Sequence, residues 1–256
     1  MSIRLLLAIL PLLLAACAVR PVAPPPITPP VSVANLLERL ADNATAFTSL
    51  EGVAKVRIST EARTQSVTEV LFAEKPDRLR LETLSPFGQP LLVMVTDGKQ
   101  IEVLVPGEGK LYRDDFSLAH LQRLTRLPLQ LTDLVHLLLY QVPVIGHERQ
   151  SVAPVADGEI LLTLFAAEGR RQELRFDRLL RLTGAAYYRD DELLLQVAYD
   201  RFTDESRPFP LTASLAMPAS KTEATVAFSE VQTNLAIPAE RFRLTPPPGV
   251  EILPFP

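Results

Sequence analysis

The chain has little of what enzymatic and metal sites are usually built from: its 256 residues include one cysteine, three histidines and no tryptophan. Cys17 has no second cysteine with which to form a disulfide or a cysteine-rich zinc site. His120, His136 and His147 are scattered and do not share metal-ligand spacing. No Gly-x-Ser-x-Gly elbow and no complete phosphate loop occurs. We therefore expect no metal, no cofactor and no enzymatic activity.

An excess of basic residues is missing as well. The chain has 26 Lys and Arg against 30 Asp and Glu, a net charge of −4. Nucleic-acid-binding domains carry a basic stripe, so no nucleic-acid partner is expected. Hydrophobic residues make up 47% of the chain and charged residues 22%, which is typical of a folded globular protein.

The most apolar run lies at the start, in residues 1–17, MSIRLLLAILPLLLAAC. Its apolar core, residues 5–14, is too short to cross a hydrocarbon layer about 30 Å thick, so the run is typical of an export signal. The Leu-Ala-Ala-Cys ending resembles the bacterial lipobox. This predicts a lipoprotein signal peptide over residues 1–16 and acylation of Cys17, which would hold the mature chain to a membrane. An ordinary signal peptide with an unrelated cysteine is the alternative.

The segment after the cysteine is rich in proline. Residues 20–30 hold six of the 23 prolines, and proline favours an extended backbone. At about 3.1 Å per residue, residues 20–30 would span about 30 Å. We interpret residues 17–31 as the acylated cysteine and a tether, and residues 32–256 as the folded domain. Ala18 and Val19 follow Cys17, and the lack of an acidic residue there resembles the outer-membrane class of lipoproteins.

The folded domain begins with a helical pattern and continues mainly as strands. Apolar residues recur at helical spacing over residues 33–48 and in two short segments between residues 117 and 141. The remainder alternates with period two, in about eleven strands joined by short turns. The pattern predicts an α+β fold, with a strongly curved antiparallel sheet that forms a half-open barrel and with helices covering its concave face.

The mid-chain helices carry a leucine stripe that such a sheet could cover. Leu131, Leu134, Leu138 and Leu139 are predicted to face the sheet as the lid or the lining of an apolar cavity. A curved sheet of this size either fills itself with side chains or encloses a cavity, and the sequence leaves both open.

One turn carries a large apolar residue that the turn itself does not require. In residues 85–88, SPFG, proline and glycine suit the turn, whereas Phe87 adds apolar surface at its tip. Either Phe87 is exposed and contacts a membrane or a cargo, or it folds back onto its own sheet.

These segments resemble the family of the outer-membrane lipoprotein receptor LolB. Residues 77–88, DRLRLETLSPFG, match a family strand of the form Asp-Arg-x-Arg-Leu followed by an Asn/Ser-Pro-Leu-Gly turn, and residues 124–129, LTRLPL, are similar to its lid region. The resemblance implies acyl chains or lipoproteins as ligands and a periplasmic carrier protein as a partner. It also places Phe87 where the family has an apolar residue that helps to insert lipoproteins into the outer membrane.

Two functions follow as hypotheses. The first is a lipoprotein anchored in the outer membrane and facing the periplasm, which binds acyl chains or lipoproteins in an apolar cavity and assists their delivery or insertion. The alternative is a structural or scaffold lipoprotein that contacts an envelope protein complex and carries no lipid.

Overall fold

The computed structural model of the chain describes residues 31–255. Residues Val31–Pro256 form one compact unit with a continuous hydrophobic core. A unit with its own core can fold by itself. The predicted signal peptide, Cys17 and all but the last residue of the tether lie outside the described residues.

Three α-helices are present in this part of the chain: α1 (Val33–Ala46), α2 (Leu118–Thr125) and α3 (Leu131–Leu138). Serine caps fix where the first two begin. The backbone N–H of Asn35 donates to Ser32 Oγ at 3.2 Å, and that of His120 donates to Ser117 Oγ at 3.2 Å. α3 has no side-chain cap at its N-terminus. The predicted helix after Ser32 and the two mid-chain helices are confirmed.

The strands form one curved, unclosed sheet, in the order β14-β6-β5-β4-β3-β2-β1-β13-β12-β11-β10-β9-β8-β7. Neighbouring strands are antiparallel except for β14, which is parallel to β6. The strands are β1 Ser49–Ser59, β2 Thr64–Glu74, β3 Arg78–Leu84, β4 Pro90–Thr96, β5 Gln100–Val105, β6 Lys110–Asp115, β7 Arg149–Pro154, β8 Ile160–Phe165, β9 Arg170–Phe176, β10 Leu182–Arg189, β11 Glu192–Phe202, β12 Pro210–Met217, β13 Thr222–Thr233 and β14 Glu251–Leu253.

The expected number of strands, about eleven, is wrong, because the sheet has fourteen. Two of the strands that this count left out, β7 and β14, are the two edges of the sheet. An edge strand has one hydrogen-bonded neighbour and little burial: β7 has no buried residue, and β14 has three residues, none of them buried. Without a buried face there is no alternation of apolar and polar residues to detect.

The core lies between the helices and one face of the sheet. In β1, Ala54 and Val56 are buried while Lys55 and Arg57 are exposed, as alternation requires. The buried leucines of all three helices belong to the same hydrophobic cluster as these strand residues. The helices therefore pack on the apolar face of the sheet. That this face is the concave one stays a prediction.

The strand register defines two ends of the sheet. The turns at residues 60–63, 85–89 and 218–221 lie together at one end, here called the hairpin end. β10 and β11 also meet there, where Arg189 pairs with Glu192. The turn at residues 177–181 lies at the opposite end, since it joins Phe176 to Leu182 at the other end of β10.

Candidate functional site

An apolar cavity of about 50 Å³ lies between α3 and the middle of the sheet. Of its twelve lining residues, eleven are apolar. The exception is Ser214, whose hydroxyl is hydrogen-bonded with Thr225 Oγ1 at 3.2 Å. The wall consists of Leu127, Leu134, Leu137 and Leu138 on the helix side, and of Val56, Ile58, Val197, Ala213, Ser214, Leu215, Ala224 and Val226 on the sheet side.

Strand pairing brings the sheet side of the cavity together from distant parts of the sequence. Val226 pairs with Val56 on one side and with Ala213 on the other, and Leu215 pairs with Val197. Directly paired residues in a sheet point to the same face, so these side chains form one continuous patch. Such a patch can contact an apolar chain but offers it no polar group.

The structure divides the four predicted lid leucines into two pairs. Leu134 and Leu138, one helical turn apart, line the cavity, as expected for residues on one face of a helix. Leu131 and Leu139 are buried in the core but are not among the lining residues. Sequence reasoning missed Leu137, which also lines the cavity. The all-apolar stretch that contains it, residues 137–139, was the available signal.

Two buried phenols attach the C-terminal end of α3 to the sheet. The Tyr199 hydroxyl donates to the carbonyl oxygen of Leu137 at 3.1 Å, and the Tyr140 hydroxyl donates to that of Leu182 at 2.9 Å. The two rings meet edge to face, with centroids 4.9 Å apart. Burial raises the pKa of both phenols above the usual value of 10. Both side chains are therefore neutral donors at physiological pH.

Phe87 is exposed at the hairpin end. Its side chain is 91% exposed, so the alternative in which it folds back onto the sheet is wrong. Ser85 organises the turn: its hydroxyl accepts from the backbone N–H of Phe87 at 3.3 Å and from that of Gln89 at 3.1 Å. Gly88 has a φ of 78°, a conformation that glycine adopts without strain. The exposed Leu91 follows at the start of β4, so the hairpin presents an apolar tip to solvent.

The histidines do not form a site. His120 stacks on Phe255 with ring centroids 4.6 Å apart, and its Nδ1 is buried without a hydrogen-bond partner. Burial lowers the pKa of His136 on α3, and His147 is hydrogen-bonded to Gln150. Among residues 31–255, no group of three or more His, Cys, Asp and Glu side chains is placed to hold a metal ion. Within the same range, no helix has the length and apolar character needed to cross a membrane.

Comparisons with known proteins bear on the fold. No family model and no curated protein matches the chain. A DUF1329 family protein from Desulfovibrio piger aligns with a TM-score of 0.54 and 14% identity, over 82% of this chain and 95% of that one. A LolA superfamily protein from Nitrosomonas europaea aligns with a TM-score of 0.53 and 14% identity, over 84% of this chain and 99% of that one. The chain has a LolA/LolB-like fold, as its sequence resemblance predicted.

Proposed function

We propose that the protein is an outer-membrane-anchored lipoprotein that binds an acyl chain between α3 and the sheet and assists its delivery to the membrane. The observation that carries the proposal is the apolar cavity bounded by Leu134 and Leu138 on α3 and by β1, β11, β12 and β13. Burial of methylene groups supplies about 0.8 kcal/mol each, so binding needs no polar contact and no catalytic residue.

The cavity must enlarge to accept such a ligand. Its volume is about 50 Å³, whereas protein sites that bind small molecules have volumes of about 300 Å³ or more. The sheet side is held by strand pairing, so the element that can move is α3. The ligand would therefore replace the contacts that Leu134, Leu137 and Leu138 make with the sheet.

The attachment of α3 indicates how it would move. Its C-terminal end is fixed by the hydrogen bonds of Tyr140 and Tyr199. Its N-terminal end lacks a side-chain cap, and the linker before it, residues 126–130, is irregular. We expect α3 to turn about its C-terminal end and to open at its N-terminal end, which lies toward the hairpin end of the sheet.

Phe87 supplies a means of contact with the membrane. An aromatic ring that is 91% exposed on a rigid turn can enter the apolar part of a bilayer without any rearrangement of the sheet. Acylation at Cys17 and the proline-rich tether would keep this tip close to the membrane surface. A cargo that reaches the site from a periplasmic carrier would then be released next to the bilayer.

Native mass spectrometry of residues 31–256 with palmitate tests the proposal. Wild type should form a complex with one bound chain. Ala213→Leu should abolish the complex, because the added side chain fills the cavity from the sheet side, while Ala198→Leu should bind normally. Ala198 is exposed on β11 and is not among the lining residues, so it makes a matched control. The absence of any complex with wild type would contradict the proposal.

The small cavity favours a second candidate, a scaffold lipoprotein whose core stays closed. In this case Phe87 would contact a protein of the cell envelope instead of a lipid. No acyl chain would bind, and Phe87→Glu would reduce recovery of a cross-linked protein partner from intact cells while leaving the association of the folded domain with vesicles unchanged. Uptake of palmitate by wild type decides against this candidate.

A further inference from the structure

A second cavity, of about 370 Å³, lies at the hairpin end, next to the apolar one. The two cavities share Ile58 and Leu127 as lining residues. We call this second cavity the cationic mouth. It is formed by the β1–β2 turn, by the C-terminal end of α2 with the linker that follows, and by the β12–β13 turn. Its lining residues are Ile58, Thr60, Ala62, Arg63, Gln65, Gln122, Arg126, Leu127, Pro128, Ser220 and Thr222.

The charge of the mouth is of one sign. Arg63 and Arg126 line it, and no Asp or Glu is among its lining residues. Within residues 31–255 neither guanidinium has an ion pair or a side-chain hydrogen bond. The nearest acid along the chain, Glu61, is paired with Lys221 at 2.7 Å between Oε1 and Nζ. Two cationic groups therefore line a cavity next to one whose lining is apolar except for Ser214.

Local structure fixes the backbone that carries both arginines. The carbonyl oxygen of Arg63 accepts a hydrogen bond from the backbone N–H of Thr60 at 2.9 Å, which closes the β1–β2 turn. Arg126 ends α2 with φ 61° and ψ 13°, and its N–H donates to the carbonyl oxygen of Gln122 at 2.8 Å. Glycine is the residue that most favours this left-handed position at a helix end, so Arg126→Gly would remove the guanidinium without straining the backbone.

We propose that the cationic mouth binds the phosphate head group of an amphiphile whose acyl chain occupies the apolar cavity. The proposal rests on the proposed function and specifies its ligand as a phosphate-bearing lipid. Guanidinium groups donate two parallel hydrogen bonds to phosphate oxygens, and the amides of Gln65 and Gln122 add neutral donors. With the head group held at the mouth, the chain can pass Ile58 and Leu127 to reach the space beneath α3.

The test compares two lipids that differ only in the phosphate, palmitoyl lysophosphatidic acid and monopalmitoylglycerol, by isothermal titration calorimetry with residues 31–256. Wild type should bind the phosphate-bearing lipid at least about tenfold more tightly, and added salt should reduce this preference. Arg63→Gln and Arg126→Gln should each weaken its binding about tenfold. Both variants should leave the binding of monopalmitoylglycerol unchanged. Arg57→Gln, on the opposite face of β1, is the matched control and should change neither affinity.

Arg126→Gly separates a binding role from a structural one. Because glycine suits the conformation of residue 126, this variant should melt at the same temperature as wild type or higher. It should nevertheless lose the preference for the phosphate-bearing lipid. Retention of that preference in Arg126→Gly and in Arg63→Gln would overturn the inference.

The remaining outcomes separate this inference from the proposed function. Equal binding of the two lipids by wild type overturns the inference and leaves acyl-chain binding intact, whereas binding of neither lipid overturns both. Inorganic phosphate is titrated separately. If it binds as tightly as lysophosphatidic acid and displaces it, the mouth is a site for free phosphate and the lipid assignment is overturned.

Discussion

The hydroxyl of Tyr199 on β11 lies 3.1 Å from the carbonyl oxygen of Leu137 on α3, and this hydrogen bond joins the cavity's helix to its sheet. Tyr199 is 2% exposed, so neither partner can exchange the bond for one to water without movement of the helix. The contact lies at the C-terminal end of α3, beside Leu138 in the cavity wall. It therefore fixes one end of the helix that, in the proposed function, moves when an acyl chain enters.

Tyr199→Phe should lower the free energy of unfolding at pH 7 by about 1 kcal/mol, the contribution of one buried hydrogen bond. Urea denaturation measures the effect. Tyr188→Phe serves as the control, since the Tyr188 hydroxyl lies 3.5 Å from a Glu173 oxygen and makes a weaker contact. Equal losses of stability in both variants would show that the hydrogen bond from Tyr199 to Leu137 contributes no more to stability than the weaker contact of Tyr188.

Stability should also depend on pH through the buried phenols. The pKa values of Tyr140 and Tyr199 are raised by burial, while in the unfolded chain both phenols ionise near pH 10. Above pH 10 the unfolded state thus loses protons that the folded state retains, and the free energy of unfolding falls as the pH rises. Each phenol contributes a slope of up to about 1.4 kcal/mol per pH unit, and below about pH 9 there is no contribution. Urea denaturation between pH 8 and pH 11 should show a shallower fall for Tyr199→Phe than for wild type, and identical slopes would count against a buried phenol.

Leu138→Asp should destabilise the domain by about 3 kcal/mol or more, because it buries an unpaired charge in an apolar wall. Leu138 is 7% exposed. Thr132→Asp places the same charge on the exposed side of the same helix and should change the stability by no more than about 0.5 kcal/mol. Urea denaturation of both variants gives the comparison. Similar stabilities for the two would mean that α3 presents a different face to the sheet.

The sequence predicted the features that depend on neighbouring residues, and it did not predict those that depend on residues far apart in the chain. The three helices follow from local signals, the serine caps and the helical spacing, and each was placed within a few residues. The wall of the cavity depends on pairs such as Val56 with Val226, which are far apart in the sequence. No periodicity predicts which strand pairs with which over such a distance. The bond between Tyr199 and Leu137 went unpredicted for the same reason.

At the Phe87 turn the sequence provided a local signal, but the sequence did not determine where the side chain points. The sequence indicated that Phe87 was not needed by its turn, but the direction of the ring depends on the space around the hairpin. For the two arginines of the cationic mouth, Arg63 and Arg126, the sequence provided a weaker indication of a binding site. Arg126 occupies a helix end where glycine is favoured, and this becomes informative only when the left-handed conformation is known.

Phe87→Glu should leave the free energy of unfolding within about 0.5 kcal/mol of wild type, because the side chain is exposed. The association of residues 31–256 with vesicles of phosphatidylethanolamine and phosphatidylglycerol should fall, since a carboxylate resists entry into an apolar phase. Leu179→Glu is the matched control. Leu179 is 71% exposed on the turn at the opposite end of the sheet, so this variant should bind vesicles as wild type does. An equal loss of binding in both variants would reflect added negative charge and not the position of Phe87.

Cys17→Ser should abolish acylation in the producing cell, because the chain has no other cysteine. Metabolic labelling with an alkyne analogue of palmitate measures the modification, and membrane fractionation measures the location. The variant should carry no label and should leave the outer-membrane fraction. Persistent labelling of the variant would refute the assignment of the anchor.

Photo-crosslinking can locate an acyl chain in the space between α3 and the sheet. Residues 31–256 are loaded with a palmitate analogue that carries a diazirine at its terminal carbon, irradiated, and digested for mass spectrometry. If the chain lies there, adducts should form on peptides that contain Leu134 to Leu138 and on those from β12 and β13, and they should be lost in Ala213→Leu. Adducts confined to the Phe87 turn or to the polar face of the sheet would show that no chain lies between α3 and the sheet.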